Sequence, residues 1–207
     1  MTRRLGFLLF PAIAVLGLVT ASLRAADGIL IEPEEFSGAQ PPSADANHAE
    51  SPAWIIQPED RTAADFSAGK YVRGNPGAVA TGEAVVPAAG RYRIWALTAA
   101  ARSFSHPGFQ LLIRQNGSEQ IVEFDPNTMV LQKEDSYASG HSSRAWMHGE
   151  ADLSAGPATL VLQRPEALEK GMPRQVVVDV LFLTRDAKYT PGFEGVMKGG
   201  ILNLPAR

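Results

Sequence analysis

From Ile29 onward the chain alternates short runs rich in Val, Ile, Leu, Phe, Tyr and Trp with breaks made of Gly, Pro, Asn and Asp. This spacing is the pattern of an all-β sandwich or barrel. The predicted strands are Ile29–Glu34, Trp54–Gln57, Lys70–Arg73, Gly82–Val86, Arg91–Ala99, Phe109–Arg114, Gln120–Phe124, Ala145–Leu153, Ala158–Gln163 and Gln175–Thr184. In Arg91–Ala99 the two-residue period turns Tyr92, Ile94 and Ala96 one way and Arg91, Arg93 and Trp95 the other. One face is therefore core, and Trp95 lies on the opposite side or beside a second layer. Asn116-Gly117 sits between two of the runs, and both residues tolerate the positive φ of a primed hairpin turn. That turn also accounts for the glycosylation-like triplet Asn116-Gly117-Ser118.

The run from Val176 to Leu183 is nearly continuous in apolar residues, as in a central strand buried on both faces, and only Asp179 interrupts it. The polar stretches from Pro41 to Pro52 and from Asp125 to Arg144 predict long surface loops. No 3.6-residue period persists over two turns, so any helix is brief. No repeat at propeller or solenoid spacing occurs.

The first 26 residues break this pattern. Arg3 and Arg4 precede Leu5–Val19, which carries no charge, and small residues follow with cleavage points after Ala21 or Ala25. This is the layout of an export signal, and the apolar run, interrupted by Pro11, is short for the roughly twenty residues of a membrane span. The expected division is a signal peptide over 1–26, a β-sandwich domain over 27–191 and a tail over 192–207. After cleavage no membrane insertion is expected, and the destination is secreted or periplasmic.

Composition narrows the chemistry. The chain has 207 residues, no cysteine and a net charge of −3. Without cysteine there is no disulfide scaffold, thiol nucleophile or thiolate metal site. An acidic chain without a basic run is a poor partner for nucleic acid. There is no nucleophile elbow, zinc-binding helix motif or phosphate loop. His48, His106, His141 and His148 fall in or beside predicted loops and lack the spacing of zinc ligands.

Two groups remain. Glu32 and Glu34 are two residues apart, hence on one face of an extended strand, and Asp179 stands in an apolar run. Three such acids suit a hard cation such as Ca²⁺. Equally, the glutamates can form a solvated edge while Asp179 caps a backbone group or pairs with an arginine. The aromatics Tyr71, Tyr92 and Trp95 lie in apolar strands and read as structural. Tyr137 and Trp146 lie in or border the second polar loop, where flat rings can stack on the C–H faces of sugars.

The ordered set Ile31-Glu32-x-Glu34-x-Phe36, Ser67–Val72 (SAGKYV), Val86–Trp95 (VPAAGRYRIW), Trp146, Asp152–Gly156, Thr159–Leu162 and Val178–Thr184 resembles the galactose-binding-like β-sandwich. Within that fold it resembles the carbohydrate-binding modules of families 6 and 35. The resemblance runs from about Ile29 to Pro191. It implies a jelly roll of two antiparallel sheets and a structural Ca²⁺ held by Glu32, Glu34 and Asp179. It also implies a glycan held by loop aromatics at one end of the sandwich, with Trp146, Tyr137 and Phe104 as the candidates. The expected function is a non-catalytic carbohydrate-binding module. The alternatives are a structural or protein-interaction subunit of a bacterial envelope complex, and a glycan-active enzyme using acids such as Glu32, Glu34, Asp135 and Glu150.

Overall fold

The computed structural model describes residues 28–41, 52–57, 70–101, 108–125, 130–131, 142–166 and 176–191. The expected signal peptide over 1–26, the expected tail over 192–207, Phe104, Tyr137, Asp135, His48, His106 and His141 lie outside these residues. The strands are β1 (Gly28–Ile31), β2 (Ala39–Gln40), β3 (Trp54–Gln57), β4 (Tyr71–Gly74), β5 (Val79–Val86), β6 (Gly90–Ala101) and β7 (Phe109–Gln115). They continue as β8 (Ser118–Phe124), β9 (Val130–Leu131), β10 (Ser142–Leu153), β11 (Gly156–Gln163), β12 (Val176–Val178) and β13 (Leu181–Thr184). Among the described residues the only helical turn is a 3₁₀ turn over Pro33–Glu35.

The fold is the expected β-sandwich, but the strands form three sheets where two were expected. A five-stranded sheet has the order β1-β13-β6-β10-β9, and one four-stranded sheet has the order β5-β11-β7-β8. The second four-stranded sheet is β12-β4-β3-β2, in which β2 and β3 run parallel. The third sheet exists because the apolar run from Val176 to Leu183 is two strands, not one. β12 pairs with β4, while β13 pairs with β1 and β6. The crossing occurs at Asp179 and Val180. Here Asp179 N–H donates to the Leu97 carbonyl at 2.9 Å, and Leu97 N–H donates to the Val180 carbonyl at 2.9 Å. The Thr98 hydroxyl fixes the same junction by donating to the Val177 carbonyl at 2.6 Å.

Alternation builds the interior. Tyr92, Ile94 and Ala96 of β6, Met147, Ala151 and Leu153 of β10, and Leu181 and Leu183 of β13 point into the sandwich. Leu111 and Ile113 of β7, Val122 and Phe124 of β8, and Leu160 and Leu162 of β11 share that cluster. Phe109 and Phe124 stack with ring centroids 4.6 Å apart. Trp54 belongs to the same core and donates its indole N–H to the Leu162 carbonyl at 3.1 Å, so its polar atom is satisfied. Its ring lies against Gly74, where any Cβ would stand 2.5 Å from Trp54 Cζ3, so glycine is required there.

The hairpin of β7 and β8 turns at Asn116 and Gly117, whose φ values of 50° and 76° are those of the expected primed turn. Two glutamines then dock this hairpin on the end of β10. Gln115 accepts from Ser154 N–H at 3.1 Å and donates to the Ser154 carbonyl at 3.0 Å. Gln120 accepts from Asp152 N–H at 3.1 Å and donates to the Asp152 carbonyl. Each side-chain amide thus stands in for a strand backbone across the gap between two sheets.

Gln115 is buried, so removing its amide leaves the Ser154 N–H short of a partner. Gln115→Ala is expected to lower stability by about 1–3 kcal/mol in urea unfolding. A loss below roughly 0.5 kcal/mol, the range of an ordinary surface substitution, would show that the docking contact is not stabilising.

Candidate functional site

The face of the five-stranded sheet opposite the core changes character along its length. Arg91 and Asp152 are opposite one another, then Arg93 and Glu150, Trp95 and His148, and finally Leu97 and Trp146. β13 adds Phe182 beside Trp95. Trp95, Leu97, Trp146, Val180 and Phe182 form a second apolar cluster, separate from the sandwich interior, with half-buried Tyr189 packed against it. The Tyr189 ring sits 5.2 Å from that of Phe182, and burial pushes its hydroxyl pKa up to about 12. A Cβ at Gly28 would run into the Phe182 ring, so the start of β1 also passes close beneath this cluster.

The polar end of the face is locked by charge pairing. Glu150 takes Arg91 Nη2 at 2.7 Å and Arg93 Nη2 at 3.1 Å. Hydrogen bonds from both arginines hold its carboxyl below the usual carboxylate range. A carboxylate kept ionised in this way is not suited to the role of general acid. Arg93 also donates to the Ala187 carbonyl at 2.6 Å, and its guanidinium carbon lies 6.0 Å from the Trp95 ring centroid.

His148 was expected in or beside a loop and instead sits in β10. Its ring meets Trp95 edge-on with centroids 4.9 Å apart. Burial, reinforced by the charge of Arg93, holds its pKa below the ordinary 6.5, while Glu150 acts in the opposite sense.

Trp146 is corrected as a sugar-stacking residue. It is fully buried in the second cluster, and a ring with no open face offers no platform. The two-residue period decides this, because Trp146 shares its sheet face with Trp95 and Leu97 on the neighbouring strand. Trp95 is buried there too, as the sequence alternation allowed, and Tyr92 is core, its hydroxyl donating to the Ala88 carbonyl at 2.8 Å.

The three acids share a corner without forming a closed set. β1 ends at Ile31 opposite Leu181, so Glu32 and Asp179 leave the pair at the same end of the sheet. Pro33 then turns the chain into the 3₁₀ turn, so Glu32 and Glu34 do not share one face of a strand as their spacing suggested. Glu34 is half-buried, and its Oε2 is shielded from solvent and meets no hydrogen-bond donor. Desolvation raises its pKa, with Glu35 adding to the rise. Asp179 is fully buried. Among the described residues no three His, Asp or Glu side chains are gathered closely enough to hold a metal ion. A recess of about 230 Å³ opens beside this corner, lined in part by Glu32, Glu35, Phe36 and Glu83.

The same end of the sandwich anchors two of the chain's polar segments. Ala101 pairs with Ser142, and Phe109 pairs with Phe124, so the strand ends that flank 102–107 and 126–141 lie at this end. Arg164, which sequence reasoning missed, stands at this end. It is 4% exposed and donates from Nη1 to the Gly108 carbonyl at 2.8 Å. Its Nε and Nη2 are shielded and meet no acceptor. Burial pulls its pKa down, yet a guanidinium does not deprotonate in a protein, so it keeps its charge. An arginine after an apolar strand and before Pro165 carries no local signal of burial.

Because the folded pKa of His148 is lowered, the unfolded chain takes up its proton first as pH falls. Stability from this group is full above pH 6.5 and declines below it. The melting temperature, followed from about pH 7.5 to about pH 5.5, is expected to fall in the wild type and to fall less in His148→Gln. Parallel curves for the two proteins would exclude His148 as the source.

No protein-family model matches the chain, and no curated protein matches it. Solved structures do match. The CBM35 of Abf62 from Cellvibrio japonicus is 13% identical with a TM-score of 0.43, over 76% of this chain and 92% of that one. The family 35 carbohydrate-binding module from Clostridium thermocellum is 18% identical with a TM-score of 0.42, over 75% of this chain and 98% of that one. The GH26-CBM35 β-(1,4)-mannanase of Podospora anserina is 15% identical with a TM-score of 0.42, over 79% of this chain and 29% of that one.

Proposed function

We propose that this chain is an exported, non-catalytic module that binds a glycan at the end of the sandwich from which segments 102–107 and 126–141 depart. The observation that supports this reading is the pairing of Ala101 with Ser142, which brings together the strand ends next to the segments that hold Phe104 and Tyr137. Two rings brought together there would make a stacking site for a sugar, with polar residues to meet its hydroxyls. The ordered motifs from Ile31 to Thr184 support the same reading through their resemblance to carbohydrate-binding modules. Export rests on the charged, apolar and small-residue zones of residues 1–26. Among the described residues no helix is long and apolar enough to cross a membrane.

A Ca²⁺ ion at the corner after β1 belongs to this reading. Glu34 supports it, because a shielded carboxylate oxygen without a donor gains from a hard cation. Glu32 and Asp179, which leave β1 and β13 at the same end of the sheet, would complete the set. Adding Ca²⁺ to chelated protein is expected to raise the melting temperature, and Glu34→Gln or Asp179→Asn is expected to abolish the rise. An unchanged melting curve in the wild type would remove the metal.

For the glycan, affinity electrophoresis against a panel of soluble polysaccharides is expected to show retardation, with Kd about 10⁻³ to 10⁻⁶ M. Tyr137→Ala and Phe104→Ala are each expected to weaken binding roughly 2- to 10-fold, the worth of about one aromatic contact. No retardation by any polysaccharide, together with a stoichiometric protein partner from envelope extract, would replace this reading with that of an interaction subunit.

A further inference from the structure

The second apolar cluster is on the outer face of a sheet, yet Leu97, Trp146 and Val180 are fully buried and Trp95 and Phe182 nearly so. Among the described residues Tyr189 is the partly buried apolar side chain packed against it. A single half-buried ring does not cover five large side chains spread over three strands. Both outer indoles also differ from that of Trp54. Trp54 has its carbonyl acceptor, while Nε1 of Trp95 and Nε1 of Trp146 are shielded from solvent without one. A buried indole N–H normally finds a partner, and two on one face indicate acceptors still to be supplied.

The chain itself leads to an occupant. Tyr189 packs on Phe182, Pro191 is buried, and residues 192–207 continue from there. That segment carries Phe193, Val196, Met197, Ile201, Leu202 and Leu204 among glycines and few charges. Neighbouring strands are about 4.8 Å apart, so β13 and β10 lie ~10 Å apart. A segment rising up to ~3.3 Å per residue crosses that distance several times over. An extended backbone also offers a carbonyl at every residue, which is what the two indoles lack.

We propose that the outer face formed by Trp95, Leu97, Trp146, Val180 and Phe182 is a docking surface for the chain's own C-terminal segment, residues 192–207. Docking buries the apolar side chains of the segment and brings its backbone carbonyls to the two indoles. It makes the segment an integral part of the domain instead of a free tail.

The test compares the signal-free chain 28–207 with its truncation 28–191, using acrylamide quenching of tryptophan fluorescence and thermal unfolding. In 28–207 all three indoles are expected to be shielded. In 28–191, Trp95 and Trp146 should become quenchable while Trp54 stays shielded, and the melting temperature should fall. Ile201→Glu with Leu204→Glu in the chain 28–207 should produce the same exposure, which keeps the test decisive if the truncation fails to fold. Equal quenching in 28–191 and 28–207, or an unaltered double variant, would overturn the proposal. So would two open indoles already present in 28–207, which would assign the cover to residues 1–27. Exposure caused by Phe104→Ser or Tyr137→Ser, and not by the tail changes, would assign it to the loops.

Discussion

β6 has neighbours on every side, and the rest of the sandwich is arranged around that fact. Its backbone is hydrogen-bonded to β10 on one edge and β13 on the other. Its side chains alternate, so Tyr92, Ile94 and Ala96 enter the sandwich while Trp95 and Leu97 enter the outer cluster. A one-residue slip would exchange these sets and put Arg91 and Arg93 into the core. The charged pair at the other end of the strand guards the register, because Arg93 and Glu150 are directly opposite in the same alignment that brings Trp95 to His148. The core, the outer cluster and the ion pair are therefore consequences of a single register.

The sheets are joined by polar atoms acting as backbone. Gln115 and Gln120 hold the hairpin to Asp152 and Ser154, and Thr98 holds β12 where it leaves the line of β13. Such contacts are made where two sheets meet and neither has a strand to offer. They explain how a chain without cysteine closes its corners, since no covalent staple is present to do so.

The unsatisfied groups gather away from the interior. Trp54 and Tyr92, inside the sandwich, both have acceptors. Trp95 and Trp146 on the outer face, Glu34 at the corner after β1, and Arg164 beside Gly108 each retain a shielded atom without a partner. The surfaces that depend on something beyond the strands are the ones still in deficit, and they are where ligand, ion or segment is to be sought.

Strand positions and the β class were legible in the sequence because they depend on local alternation and turn chemistry. Arg91–Ala99, the Asn116-Gly117 hairpin and Ala158–Gln163 needed no information from elsewhere in the chain. The two sides of β6 could likewise be separated by period alone. What burial each side meets could not, because that depends on strands distant in sequence. Trp146 borders a polar loop along the chain, but in space it faces Leu97 and Trp95, so its role was decided only by pairing. The break at Asp179 is likewise tertiary: an apolar run is the same string whether it stays in one sheet or crosses to another, and Leu97 determines where it crosses. Glu32 and Glu34 show a local failure, since Pro33 ends the ladder and replaces the two-residue period with a tight turn. Periodicity shows which residues share a face; only the fold determines what that face meets.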